Sequence, residues 1–197
     1  MRRLLAIARL TIHEAARRRI LLATFLCGTA FLVVFGIGFH FVDRDLRTKA
    51  TYLGRRMMLT FFTLAGLCAV TSRAGMTAVL LPVDTLSGEI TSGVMQTLAS
   101  KPIRRSEIVL GKWLAHIGVV AAYFALLAGG VLVVARLISG NVPPHVERGL
   151  PLMLLEAAIL VTLSIAGGAR LSTVTNGIVA FGLYGLAFIG SWVEQIG

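Results

Sequence analysis

The side chains that could bind a metal ion or act as nucleophiles are scattered along this sequence. His13 and Glu14 are adjacent, but the second histidine of an HExxH zinc motif does not follow them. Ser100 and Ser106 lie on one polar segment that contains no histidine, so a Ser-His-Asp arrangement is not indicated. The remaining histidines are His40, His116 and His145. We therefore predict no metal ion, no cofactor and no catalytic residue in this chain.

The dipeptide Gly111-Lys112 is the nearest approach to a nucleotide-binding motif. A P-loop has a glycine at the position that Ser106 occupies here, and a serine or threonine at the position of Trp113. Because neither requirement is met, the chain is not expected to bind ATP through this motif. If ATP drives its function, we expect a separate polypeptide to hydrolyse it.

The composition indicates a lipid environment. Of the 197 residues, 56% are hydrophobic and only 14% are charged, and the mean hydropathy is +0.84. Soluble domains average about 25% charged residues, so this chain is far too apolar for that class. The net charge of +10 comes from arginines at the ends of apolar runs. This placement is typical of membrane topology, and it favours a lipid bilayer over nucleic acid as the partner.

Five apolar runs are long enough to cross a bilayer, since a spanning helix needs about 20 mostly apolar residues. The sequence predicts an all-α, polytopic helical membrane bundle with spans over residues 20–42, 57–83, 113–139, 150–169 and 171–193. Residues 1–19 differ, because apolar and basic side chains fall on opposite sides at helical spacing. We predict an amphipathic helix in the membrane interface there. The alternative is that this segment merely extends the first span.

Loop charges favour a cytoplasmic N-terminus. With that orientation, eleven lysines and arginines lie inside and seven outside, leaving aside Arg73 within a span.

Four glycines in the last run would let another helix approach closely: Gly177, Gly182, Gly185 and Gly190. Ordinary glycine enrichment in membrane helices explains them equally well.

Three charged residues lie within or beside the apolar runs: Arg73, Glu156 and Arg170. Ionisable groups inside a membrane are costly, and they usually face a bundle interior or water. For Arg170 we favour a side chain that extends to the nearby interface. For Glu156 two interpretations stay open: it pairs with an arginine or lines a permeation path, or it too extends to the interface.

The polar segment 84–112 differs from every other connection. Its sequence predicts a polar hinge with turns at Gly88 and Gly93, then a short helix over residues 94–99. Pro102 should stop that helix, and Ser106 could cap the next one. Such a segment would suit the docking of a cytoplasmic partner. A solvated loop that simply joins two spans is the alternative.

This segment resembles the first cytoplasmic loop of ABC-2 type transporter permeases. The matching residues are Glu89, Gly93, Leu98, Ser100, Pro102, Ile103, Arg105, Gly111 and Lys112. Among those permeases, the group annotated for multicopper-enzyme maturation is the most similar. The resemblance covers the amphipathic start and the spans, and it is most specific over residues 84–112.

The resemblance implies a homodimer or heterodimer of six-span subunits that works with an ABC ATPase subunit in the bacterial inner membrane. Residues 1–19 would be the "elbow" helix, and residues 89–100 the coupling element that rests on the ATPase. The expected partner-binding residues are Glu89, Gly93, Met95, Leu98, Ser100, Lys101, Pro102, Arg105, Gly111 and Lys112. Against this family pattern, the sixth span is expected to be missing, either because the sequence is a fragment or because this member lacks the last helix. The alternative function is a membrane scaffold or assembly factor without transport; a membrane-embedded enzyme is disfavoured because no catalytic side chains cluster.

Overall fold

The computed structural model describes residues 19–91, 105–140, 143–168 and 170–194 of the chain. These residues form helices α1 (Arg19–Lys49), α2 (Tyr52–Thr91), α3 (Arg105–Ser139), α4 (Val146–Gly168) and α5 (Thr173–Glu194). No strand occurs in the described ranges, so the predicted all-α class is confirmed. The predicted interfacial helix over residues 1–19 lies outside the described residues apart from its last position.

Four helices within the described part of the chain are long and apolar enough to cross a membrane. They are Leu21–Lys49, Tyr52–Val83, Ser106–Ser139 and Val146–Gly168. These correspond to the first four predicted spans. In α5 the apolar stretch Thr173–Ala187 is shorter, so the fifth span stays a prediction.

Helix α1 continues past the predicted end of the first span at residue 42 and ends at Lys49. Two ion pairs, each between residues four positions apart, support this polar extension. Arg47 lies 2.8 Å from the Asp43 carboxylate, and Lys49 lies 2.6 Å from that of Asp45. Oppositely charged residues at this spacing share one helix face and stabilise the helix.

Helix α2 continues through the segment for which a polar hinge was predicted, and the hinge prediction is therefore wrong for residues 84–91. The helix passes through Gly88 without a turn and ends at Thr91. A glycine inside a helix costs about 1 kcal/mol relative to alanine, which a 40-residue helix can tolerate. Pro82 is also accommodated inside α2, where it removes one backbone donor. The result is a helical extension of eight residues beyond Val83.

Helix α3 begins at Arg105, one residue before the serine that the sequence suggested as its cap. At its other end Gly140 adopts a left-handed conformation with φ of +66°. The Gly140 amide donates a hydrogen bond of 3.0 Å to the Arg136 carbonyl. Glycine is favoured after a helix because left-handed backbone is unstrained without a Cβ atom.

The helices contribute to two compact units. In the described residues, the first unit comprises residues 75–91, 105–120 and 156–194 without residue 169, and the second comprises 19–74, 121–140 and 143–155. The core of the first unit is formed by Ala78, Val79, Val83, Val120, Ala157, Leu160, Val161, Ile165 and Ala180. The larger core cluster of the second is formed by Leu67, Val70, Ala74, Tyr123, Phe124, Leu127, Ala128 and Val131.

Close helix packing in the second unit depends on glycines that admit large side chains. A Cβ atom at Gly66 in α2 would lie 2.6 Å from the Phe35 ring of α1, and one at Gly130 in α3 would lie 2.6 Å from Leu32 of α1. Membrane helices associate through such contacts because lipid provides no hydrophobic driving force between them.

The glycines of α5, for which close helix packing was one of two interpretations, make no such close contacts. Cβ atoms at Gly182, Gly185 and Gly190 would meet nothing within 4 Å, and one at Gly177 would just touch Val83 at 4.0 Å.

Candidate functional site

The predicted coupling segment is only partly within the described residues. Glu89 lies in the helical extension of α2, near its end at Thr91, and Arg105 is the first residue of α3. The other predicted contact residues of the loop lie outside the described residues: Gly93, Met95, Leu98, Ser100, Lys101 and Pro102. The docking role of the whole segment therefore stays a prediction, but its first part is helical.

Gly111 and Lys112 are buried inside α3, and Lys112 is only 5% exposed. The Lys112 carbonyl oxygen lies 2.7 Å from Nδ1 of the buried His116. The neighbouring Trp113 donates an indole hydrogen bond of 2.8 Å to the Thr162 hydroxyl of α4. This burial favours a role for Gly111 and Lys112 in packing α3 over direct contact with a partner.

A buried polar joint connects α2, α4 and α5 in the first unit. The Ser164 hydroxyl donates a 3.0 Å hydrogen bond to the Val79 carbonyl of α2. The Asn176 side-chain amide donates a 2.7 Å hydrogen bond to the Ser164 carbonyl. Ser164 and Asn176 are 0% and 1% exposed, so all of these groups are shielded from solvent. We call Val79, Ser164, Gly167 and Asn176 the neutral joint.

Gly167 makes the neutral joint possible, because a Cβ atom there would collide with the Asn176 side-chain oxygen. The joint also lies next to Pro82, whose missing N–H leaves the Ala78 carbonyl without its usual helical donor. A side chain of α4 therefore holds α2 at Val79, three residues before the proline that removes one of its backbone donors. The sequence analysis missed this joint. Its only sequence signal is a proline within one apolar run and isolated polar residues in two others.

Arg73 lies within α2 and contacts α1. Its guanidinium is 3.3 Å from the Cys27 sulfur and 4.5 Å from the centroid of the Phe31 ring. Cys27 and Phe31 are four residues apart, so they present one helix face to the arginine. A guanidinium over an aromatic face is stabilised by the ring quadrupole, which offsets part of the cost of a cation inside a span.

Glu156 lies on an exposed face of α4, midway along its 23 residues. Its exposed neighbours are apolar: Leu152, Leu155 and Ile159. Within the described part of the chain, no cationic side chain forms an ion pair with it. The nearest charged residue along α4 is Arg148, eight residues or about 12 Å away.

A second polar joint lies in the second unit, where α1 ends and α2 begins. Asp43 is buried with 3% of its side chain exposed, and its two oxygens accept from two arginines. Arg55 contacts one oxygen at 2.6 and 3.0 Å, and Arg47 contacts the other at 2.8 Å. Arg47 also donates a 3.4 Å hydrogen bond to the Ile138 carbonyl near the end of α3. We call Asp43, Arg47 and Arg55 the charged joint. The sequence analysis missed it, although the spacing of Asp43 and Arg47 was a usable signal.

No group of three histidine, cysteine, aspartate or glutamate residues in the described ranges could hold a metal ion. The two cysteines, Cys27 and Cys68, are both free thiols. The polar groups described above connect one helix to another.

Long apolar helices joined by a few buried polar contacts define a multi-pass helical membrane protein. The family model described as ABC-2 family transporter protein matches residues 6–193. The chain therefore belongs to the ABC-2 transporter family and is a permease component of an ABC transporter. Members of this family are membrane transport components and are not themselves catalytic. A comparison with curated proteins gives no match, and the closer resemblance to the multicopper-enzyme maturation group stays a prediction.

Proposed function

We propose that this chain is the membrane-spanning subunit of an ABC exporter, in which a separate ATPase subunit hydrolyses ATP. The family match over residues 6–193 is the observation that supports this proposal most directly. In the same proposal the subunit works as a dimer in a bacterial inner membrane with its N-terminus in the cytoplasm. Since the chain performs no chemical step, its task is to convert motion of the ATPase into a change of helix packing.

The helical extension of α2 offers a direct route for that motion. Residues 84–91 continue α2 toward the predicted coupling element and include Glu89. A displacement at Thr91 would reach the core through a continuous helix, whose rigidity falls at Pro82. Just beyond Pro82 the neutral joint attaches Val79 to Ser164 of α4. In this mechanism the neutral joint transmits movement of α2 to α4 and α5.

Glu156 is the residue that we propose to face the translocation path. A carboxylate on an exposed apolar face, midway along a candidate span, has no favourable environment in lipid. Its distance from either end of α4 exceeds the reach of a glutamate side chain, which disfavours extension to the interface. A water-filled path, or a partner subunit across it, would supply the missing solvation.

Purification of the full chain from its native membranes in mild detergent tests the proposal. We expect an ABC ATPase to copurify, with ATP hydrolysis that falls several-fold in Glu89→Ala. Asp45→Ala is the matched control, because it removes an exposed carboxylate at the end of α1 and should leave hydrolysis unchanged. Glu156→Gln should retain the ATPase subunit and its hydrolysis while export of the native substrate falls.

Absence of any ATPase from the purified protein would refute the permease proposal and favour a scaffold. If the ATPase is recovered but Glu89→Ala and Gly93→Pro both support normal export, the coupling assignment is wrong. Unchanged export by Glu156→Gln would remove this residue from the path and leave the coupling assignment intact.

A further inference from the structure

Glu156 differs from the other polar side chains of α4 in the first unit, which are Thr162 and Ser164. The Thr162 hydroxyl donates a hydrogen bond to the Ala158 carbonyl and accepts one from the Trp113 indole, both at 2.8 Å. Ser164 belongs to the neutral joint. No described residue forms a hydrogen bond or an ion pair with Glu156. A partner for its carboxylate has to come from outside the described residues.

The negative charge of Glu156 has no counter-charge in its own unit. In the described residues of the first unit, the lysines and arginines are Arg105, Lys112 and Arg170. None of them forms an ion pair with Glu156. Arg170 comes after the end of α4 at Gly168, which is about 18 Å from Glu156 along the helix axis. The face of α4 at Glu156 therefore presents one uncompensated negative charge within the part of the unit that the structure describes.

The surroundings of Glu156 on α4 do not suit an inorganic cation. Leu152 lies one turn before it and Ile159 one turn after it, and these side chains are 66% and 59% exposed. Neither offers an oxygen or a nitrogen atom to a metal ion. Calcium and magnesium take about six or more oxygen ligands, and no group of three acidic, histidine or cysteine side chains in the described residues could hold a metal. One carboxylate among alkyl side chains is therefore a poor metal site.

The chemistry that complements this face is a positive charge carried on an apolar body. The charge would contact the Glu156 carboxylate, and alkyl or aromatic parts of the same molecule would contact Leu152 and Ile159. Opposite charges attract each other more strongly where little water lies between them, and the apolar contact adds to the affinity. An anion of the same shape would be repelled by Glu156. A neutral molecule would gain only the apolar contact.

We propose that the exported substrate is a lipophilic organic cation, and that its cationic group pairs with the Glu156 carboxylate during passage. This inference rests on the proposed function, in which Glu156 faces the translocation path. The apolar part of the substrate contacts the exposed leucine and isoleucine one turn away on α4. The charge of Glu156 selects cations over anions of the same shape, and Glu89 in the coupling segment takes no part in that selection.

Equilibrium dialysis of the full chain, purified from its native membranes as above, tests the substrate class. The probes are tetraphenylphosphonium and tetraphenylborate, two apolar ions of the same shape and opposite charge. We expect Glu156→Gln to weaken tetraphenylphosphonium binding about tenfold or more, because it removes one partner of a charge pair that is shielded from water. Tetraphenylborate binding should not weaken in this variant.

Two further variants separate charge from folding. Glu147→Gln is the matched control, because it removes a carboxylate that is 75% exposed in the first turn of the same helix. It should bind both probes like the unmodified chain. Glu156→Asp keeps the negative charge on a shorter side chain, and it should retain most of the tetraphenylphosphonium binding that Glu156→Gln loses.

Equal tetraphenylphosphonium binding by the unmodified chain and Glu156→Gln would overturn the substrate class. Binding by Glu156→Asp as weak as that by Glu156→Gln would also overturn it, because charge would then not be the property that matters. If Glu156→Gln changed the oligomeric state and left probe binding unaltered, this face of α4 would be assigned to a second copy of the chain. Recovery of the ATPase tests the proposed function separately, so the substrate class can fail while the permease proposal stands.

Discussion

The charged joint in the second unit and the neutral joint in the first use different chemistry for the same purpose. In each joint two side chains donate hydrogen bonds: to the carboxylate of Asp43 in the charged joint, and to the backbone carbonyls of Val79 and Ser164 in the neutral joint. The distances are comparable, 2.6 to 3.0 Å around Asp43 and 2.7 to 3.0 Å around Ser164. The difference is exposure. Arg47 keeps 58% of its side chain accessible, whereas Ser164 is fully buried.

This difference follows from the cost of burying charge. An ion pair costs less desolvation energy where its cations still contact water, as at the end of α1 and the start of α2. Deeper in a bundle, neutral hydrogen bonds satisfy polar groups without desolvating a charge. They are also weaker, and in membrane proteins they average about 0.6 kcal/mol. We infer that the charged joint fixes the hairpin of α1 and α2, and that the neutral joint can rearrange during a transport cycle.

The largest effect is expected at the charged joint. Asp43→Asn removes the carboxylate shared by Arg47 and Arg55, and we expect it to lower the free energy of unfolding by about 3 kcal/mol. Reversible unfolding in mixed SDS and detergent micelles measures this value. Asp45→Asn is the control, because its pair with Lys49 is exposed at both residues and should contribute under about 1 kcal/mol. Equal losses in the two variants would show that burial does not distinguish the pairs.

Gly167→Ala tests the packing of the neutral joint and should have the next largest effect. The new methyl group collides with the Asn176 side-chain oxygen, so Asn176 must leave Ser164 or α4 must shift. We expect a loss of about 2 kcal/mol in the same unfolding measurement. Gly182→Ala in α5 meets nothing within 4 Å and should be neutral or slightly stabilising. A neutral Gly167→Ala would mean that the joint is not closely packed.

Ser164→Ala should have the smallest effect. It removes only the hydrogen bond to the Val79 carbonyl, and we expect a loss of about 0.6 kcal/mol. The control is Ser72→Ala. The Ser72 hydroxyl donates to the Cys68 carbonyl of its own helix, so the change in the free energy of unfolding should be close to zero. A loss as large as that of Asp43→Asn would contradict the idea that the neutral joint is the weaker of the two.

The positions of the helices could be predicted closely from the sequence, whereas the polar contacts between helices could not. The first four predicted apolar runs coincide with four helices that are long and apolar enough to cross a membrane, because membrane thickness sets the length of such runs. The prediction of a hinge at residue 84 is wrong, because the polar residues and the glycine in this segment do not end the helix, which continues to Thr91. Local propensities are too weak to end a long helix by themselves.

The candidate site was predictable only where it depends on a local pattern. The order of Glu89, Gly93, Pro102 and Gly111 pointed to the ABC-2 family, and the match over residues 6–193 confirmed that membership. The same pattern predicts that Lys112 contacts a partner, and that role stays a prediction; the structure adds that Lys112 is buried in α3. A linear motif identifies a family but does not say which of its side chains face inward.

The membrane environment, the helical class and the family were predictable, because each depends on composition or on the order of residues along the chain. The residues that bring the helices together became visible only in the packed structure. The glycines of α5 were candidates for close packing, with ordinary glycine enrichment as the alternative, yet Gly66 and Gly130 admit the closest contacts of α1. Asp43 gains Arg55, and Ser164 gains Val79, in the same way from another helix. Packing joins positions far apart in the chain, and no spacing within one helix contains that information.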